Sequence, residues 1–235
     1  RDAGERPGDM ALLLGAAPNA SVYIDAIRAR GMECVVTGGS LFVKTTEVKI
    51  MRALLHVLAN PKDTKSGLFP LLASEVFGLD ADDLCALGTE GSAKTDAPKK
   101  RNVWSGLLDM TFFHDQEPSE RLLRAREVLG RAWEDVRRRP VADVCADVVR
   151  DSGWLARLEA AGTEGRARAA NVLLAIRHIR DLTEELGLGV SRAAYEFDRW
   201  AEAVKESPGS LHDVVGEKDG GAVSVMTIHA SKGLE

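Results

Sequence analysis

The residues best equipped for chemistry lie at the end of this 235-residue chain, in the string Val225-Met226-Thr227-Ile228-His229-Ala230-Ser231-Lys232-Gly233-Leu234-Glu235. Leaving a strand, Thr227 and His229 would project polar groups from alternate positions while Ile228 points into the core. Lys232 beside Gly233 sets a positive charge next to a flexible backbone amide, a pairing suited to holding an anion. Two basic clusters come next. Lys99-Lys100-Arg101, with Lys94 shortly before it, adjoins a polar loop and could touch duplex phosphates in a salt-sensitive, sequence-independent way. Arg137-Arg138-Arg139 ends a long helical pattern just before Pro140, where the helix dipole on a solvated face accounts for it.

Other reactive residues point to no site. Cys34, Cys85 and Cys145 lie far apart with no Cys-x-x-Cys pair, so they read as three reduced thiols, neither a disulfide framework nor a zinc site. His56, His114, His178 and His212 show no metal-ligand spacing and read as surface or packed histidines. Trp104, Trp133, Trp154 and Trp200 fall on helical faces and read as core residues, not base-stacking platforms. The chain has no Gly-x-x-x-x-Gly-Lys-Ser/Thr loop to cradle phosphates, no Asp-Glu pair on an apolar strand and no nuclease-like carboxylate–lysine cluster. By itself it is expected to be catalytically silent.

The elements that must position these residues change character along the chain. Met10 to Leu14 is a short apolar run suited to a buried strand, and Pro18 to Ser21 supplies helix-start chemistry for an apolar face from Val22 to Ala29. Gly31 is a left-handed stop. Cys34-Val35-Val36 and Leu41-Phe42-Val43 flank Gly38-Gly39, which predicts two short strands around a turn.

From about Glu47 the period becomes helical: Val48, Met51, Leu54, Leu55 and Leu58 share a face, and Asn60-Pro61 ends it. Further helices are predicted over Leu68–Val76, Asp80–Leu87, Asn102–His114, Ser119–Arg138, Val141–Asp151, Arg166–Leu186 and Arg192–Val204, with Gly88 to Pro98 as a loop. Ala222 to Ile228 returns to strand alternation. No fixed-period repeat supports a solenoid. The expected fold class is therefore mainly α with a small α/β part, as when a helical domain is inserted into an α/β domain; so few strands cannot complete a doubly wound sheet.

Composition agrees. Hydrophobic residues make up 45% and charged residues 29%, which argues against wholesale disorder, and the net charge of -5 argues against a uniformly basic nucleic-acid binder without excluding a local basic groove. No apolar run is long enough for a membrane span, and the polar start, Arg1 to Arg6, lacks a signal-peptide core. A cytoplasmic protein with no membrane partner is expected.

The final string closely resembles the motif of UvrD/Rep-type superfamily 1 helicases, in which a strand ends in Thr-x-His-x-x-Lys-Gly-Leu-Glu. Gly31 to Phe42 with Thr46 to Lys49 looks like the family's approach to its "2B" insertion. Leu54 to Asp63 and Leu71 to Asp80 are most similar to the RecB/AddA (exonuclease V) branch of helicase–nuclease subunits. Specific similarity covers roughly residues 10–87 and 222–235.

The resemblance implies a fragment of an ATP-dependent motor on single-stranded DNA in repair and recombination. Residues 1–46 would begin a partial RecA-like (P-loop NTPase-type) domain 2A, residues 47–220 would form the helical 2B insertion, and residues 221–235 would return to 2A. Thr227 and His229 would contact the DNA strand, Gly233 would pack at the ATP-facing loop, and Glu235 would lie near the ribose. Lys99, Lys100 and Arg101 are the further DNA-binding candidates. ATP and Mg2+ are the implied cofactors of the full-length protein. Its implied partners are DNA, the missing RecA-like domain of the same chain and a second helicase–nuclease subunit.

Two departures stand out. Gly15 occupies the place of an Arg that the family orients to the ATP phosphates, removing one partner for transition-state charge. A phosphate-gripping Gly-Ile-Gly turn is reduced to Phe77-Gly78-Leu79, followed by Asp80, Asp82 and Asp83, whose carboxylates repel phosphate. Two competing readings are a stand-alone UvrD-type repair helicase and a non-catalytic helical protein-interaction module with vestigial helicase ends.

Overall fold

The computed structural model describes residues 6–15, 20–36, 42–90, 99–110, 117–206 and 222–231. In chain order the elements begin with β1 (Ala11–Leu14), α1 (Ala20–Arg28), β2 (Glu33–Val36) and α2 (Thr46–Ala59). A π-turn over Thr64–Leu68 leads into α3 (Phe69–Ala73) and α4 (Ala81–Gly88), then β3 (Thr89–Glu90) and β4 (Lys99–Lys100). Five helices follow: α5 (Val103–Leu108), α6 (Glu120–Asp135), α7 (Val141–Asp151), α8 (Trp154–Ala160) and α9 (Gly162–Leu186). The last elements are α10 (Val190–Glu206), β5 (Ala222–Thr227) and the single turn α11 (Ile228–Ser231). The chain is mainly helical with a small parallel sheet, and it divides into two compact units.

The first unit comprises residues 1–49, 155–178 and 196–235. Its sheet has the order β1-β5-β2, both pairs parallel. The register sets Leu12 against Val225 and Cys34 against Val223, and paired residues in a parallel ladder share a face. Leu14, Ala20, Cys34, Val223 and Val225 are accordingly buried together, with Met10, Leu12, Ile24 and Ile27 packed on them. Leu13 alternates to the other face and is 48% exposed. Gly31 (φ 69°) ends α1 in the left-handed region, as its position after the apolar face predicts.

The helices of this unit add a second core. Phe42 and Trp200 meet edge to face with centroids 6.2 Å apart, Phe197 lies 5.0 Å from Trp200, and the His178 ring lies 3.9 Å from Trp200. Phe42 and Val43 are buried, but they form no strand. Thr45 donates through its amide (3.0 Å) and hydroxyl (2.8 Å) to the Phe42 carbonyl, curling the backbone toward α2. That turn overrides the strand expected at 41–43. Residues 37–41, with the Gly38-Gly39 turn, lie outside the described residues. Glu47 is only 3% exposed; its Oε1 accepts from Arg168 Nε at 2.6 Å and its Oε2 from Asn171 Nδ2 at 3.5 Å. Gly165 lets the start of α9 pass the Leu158 carbonyl, where a Cβ would collide.

The second unit comprises residues 50–154 and 179–195. Met51, Leu54, Leu55, Leu58, Leu68 and Leu72 are among its buried residues. Its helix starts are capped by residues legible in the sequence. Asp80 accepts from the amides of Asp82 (3.1 Å) and Asp83 (3.0 Å), Asn102 from that of Ser105 (3.1 Å), and Ser119 from that of Leu122 (3.2 Å). The Ser119 hydroxyl also donates to Asp83 at 2.9 Å.

The helix expected over Leu68–Val76 is present but shorter, as α3. Asp63 caps the π-turn through the amides of Lys65 and Ser66, and Ser74 ends α3 by donating its hydroxyl to the Leu71 carbonyl at 2.7 Å. The helix that Asn102 starts covers Val103–Leu108, and residues 111–114 of the expected helix lie outside the described residues. Helix α8 has no counterpart among the predicted helices: Gly153 (φ 72°) breaks the chain after α7, and the buried Trp154 then starts a new helix. Leu186, the last residue of α9, is exposed.

Candidate functional site

The candidate residues fall into two clusters, one in each unit. In the first unit the parallel register fixes the geometry. Thr227 is the last residue of the central strand β5 and pairs with Leu14, so the motif string emerges beside the exit of β1 at Gly15. Carboxyl ends of parallel strands are where α/β sheets place their ligand-contacting loops. The strand converts directly into α11 at Ile228, and His229 is the second residue of that turn. This corrects one expectation. Strand alternation ends at Thr227, so Ile228 does not enter the core and is 47% exposed. Gly233, Glu235 and Lys232 lie outside the described residues. The residues expected to face a nucleotide therefore have no described geometry.

Gly15 is exposed, its φ is not in the left-handed region, and a Cβ built on it meets nothing within 4 Å. Nothing in the local fold requires glycine there. Sterics therefore leave room for a side chain at the position where the resemblance expects an Arg.

In the second unit Lys99 and Lys100 form β4, an antiparallel partner of β3 in which Lys99 faces Glu90 and Lys100 faces Thr89. Arg101 follows, its amide donating to the Gly88 carbonyl at 2.8 Å, and its side chain is half-buried. Lys100 is exposed, whereas Lys99 stands directly opposite an acidic residue. Lys94 lies outside the described residues.

The remaining candidates resolve into structural roles. Arg139 bridges Asp135 (2.9 Å) and Asp147 (2.7 Å), and the Arg137 guanidinium lies 4.7 Å over the Trp133 ring. Burial alone would raise the Asp147 carboxyl, but the hydrogen bond and charge of Arg139, with Arg150 beside it, hold it below the usual range. Burial pushes the Cys145 thiol up to about 12, as suits an inert core cysteine. At Phe77-Gly78-Leu79 the Gly78 and Leu79 amides are used internally. Gly78 N–H donates to the Ser74 carbonyl (2.7 Å) and Leu79 N–H to that of Leu72 (3.0 Å). With Phe77 and Leu79 buried, this turn is a packing corner. Among the described residues no cluster of metal-ligating side chains is present, and no helix is long and apolar enough to cross a membrane.

Sequence comparison places the chain beside one class of protein, the subunits of helicase/nucleases. The relatives it matches are A subunits of ATP-dependent helicase/nucleases. It is 29% identical over 99% of its length to that of Leuconostoc mesenteroides, 26% over 97% to that of Latilactobacillus sakei, and 26% over 97% to that of Enterococcus faecalis. It spans only 18%, 25% and 17% of the length of these curated relatives. The resemblance to the RecB/AddA-type branch is thus borne out. No family model matches the chain.

Proposed function

We propose that this chain is a segment of a longer ATP-dependent DNA helicase–nuclease subunit, acting in the cytoplasm in DNA repair and recombination. Residues 1–46 and 221–235 contribute part of the RecA-like domain 2A, and residues 47–220 form the helical 2B insertion. One observation carries the reading. After the long helical stretch that follows β2, β5 returns between β1 and β2 in parallel register and delivers Thr227 and His229 at the carboxyl end of that sheet. A helical insertion that leaves and re-enters one sheet has this topology.

In this reading Thr227 and His229 contact the single-stranded DNA, while Gly233 and Glu235 belong to the nucleotide-facing side. ATP with Mg2+ supplies the driving hydrolysis in the full-length protein, completed by the RecA-like domain outside this chain and acting with a second subunit. Lys99, Lys100 and Arg101 are assigned to duplex phosphates. Full-length protein carrying His229→Ala should show DNA-stimulated ATP hydrolysis reduced tenfold or more, on the order of 1.4 kcal/mol. Unchanged stimulation would remove His229 from the DNA site.

Gly15, standing where the resemblance expects an Arg, favours a second reading, a non-catalytic interaction module. A full-length protein with no DNA-stimulated ATP hydrolysis would support it over the motor.

A further inference from the structure

The turn that carries His229 is a single four-residue helix, too short to persist on propensity alone. Two devices can hold such a turn: burial of an apolar side chain, or a side-chain hydrogen bond to its own backbone. The first is weak here, because Ile228, its first residue, is 47% exposed. The second is present: the Ser231 hydroxyl donates to the Ile228 carbonyl at 2.9 Å and closes the turn upon itself. The turn also sits against β1 and β5, so its foundation is the register that sets Thr227 against Leu14.

We infer that Ser231 is a positioning residue: its hydroxyl fastens the helical turn in which His229 sits, and so orders the DNA-contacting string at the carboxyl end of the sheet. This rests on the reading of Thr227 and His229 as DNA contacts. The hydroxyl touches no reacting atom in this role. It reduces the number of conformations the string explores before DNA arrives, and the gain appears in DNA affinity, not in turnover.

The test is DNA-stimulated ATP hydrolysis by the full-length protein, titrated with oligothymidylate. Ser231→Ala should raise the half-stimulating DNA concentration roughly threefold to tenfold, the worth of one hydrogen bond, with kcat within about twofold of the parent. Ser231→Thr, which keeps the hydroxyl, should restore the parent value. In a Ser231→Ala/His229→Ala double variant the serine change should add almost nothing to the histidine defect. Three results overturn the proposal: an unaltered Ser231→Ala, a Ser231→Thr as impaired as Ser231→Ala, or defects that multiply in full. An inert His229→Ala sinks the underlying DNA-contact reading, whereas an impaired His229→Ala beside an unaltered Ser231→Ala sinks the positioning role alone.

Discussion

Glu47 shows how one residue can carry two messages. In the sequence it is an acidic residue in the first turn of a helix, favourable to the helix dipole and otherwise unremarked. In the fold its carboxylate is buried and held by Arg168 and Asn171. A buried charge that loses its partner costs more than the pair ever contributed. Arg168→Ala should therefore destabilise the 235-residue chain by about 2–3 kcal/mol, below the fully buried range because Arg168 retains 32% side-chain exposure. Adding Glu47→Gln should recover more than half of that loss. Urea unfolding of the single and double variants measures both, and a double variant as unstable as Arg168→Ala would refute the ion-pair account. His229 and Gly15 differ from Glu47 because their types and neighbours in sequence already mark them as candidates.

At the scale of elements, the caps and glycine stops are readable because each acts within four residues. Asp80, Asn102, Ser119, Gly31 and Gly153 do locally what their types suggest. The failures occur where a local preference meets a competitor. Thr45 captures the Phe42 carbonyl and abolishes a strand, and the cap at Asp63 begins a π-turn ahead of the apolar run. The ribbon β3–β4 gives the sharpest test at this scale. Reversing Lys99 would set two carboxylates opposite each other at Glu90 and weaken the ribbon itself. Lys100 faces neutral Thr89, so Lys100→Glu is the clean variant. It should lower duplex affinity at low salt and reduce the salt slope by about 0.9, the share of one phosphate that is no longer neutralised. An unchanged salt titration of the full-length protein would make β4 a solvated ribbon with no DNA role.

For the whole molecule, the 235-residue chain should show no ATP hydrolysis above background with or without DNA, because its sequence holds no phosphate-cradling loop. Measurable turnover in the purified chain would reveal a nucleotide site of another kind. The sequence by itself determined the helical character of the middle, the strand character of both ends and the helicase-like string, since periodicity, capping and motif spacing are local properties. Only the tertiary structure decided that β5 lies between β1 and β2, that Thr227 emerges beside Leu14, that Ile228 leaves the core, and that Glu47 and Arg168 pair 121 positions apart. Each depends on which distant segments meet. Strand order and buried pairing are set by the free energy of burying whole faces together, and no window of neighbouring residues contains that information.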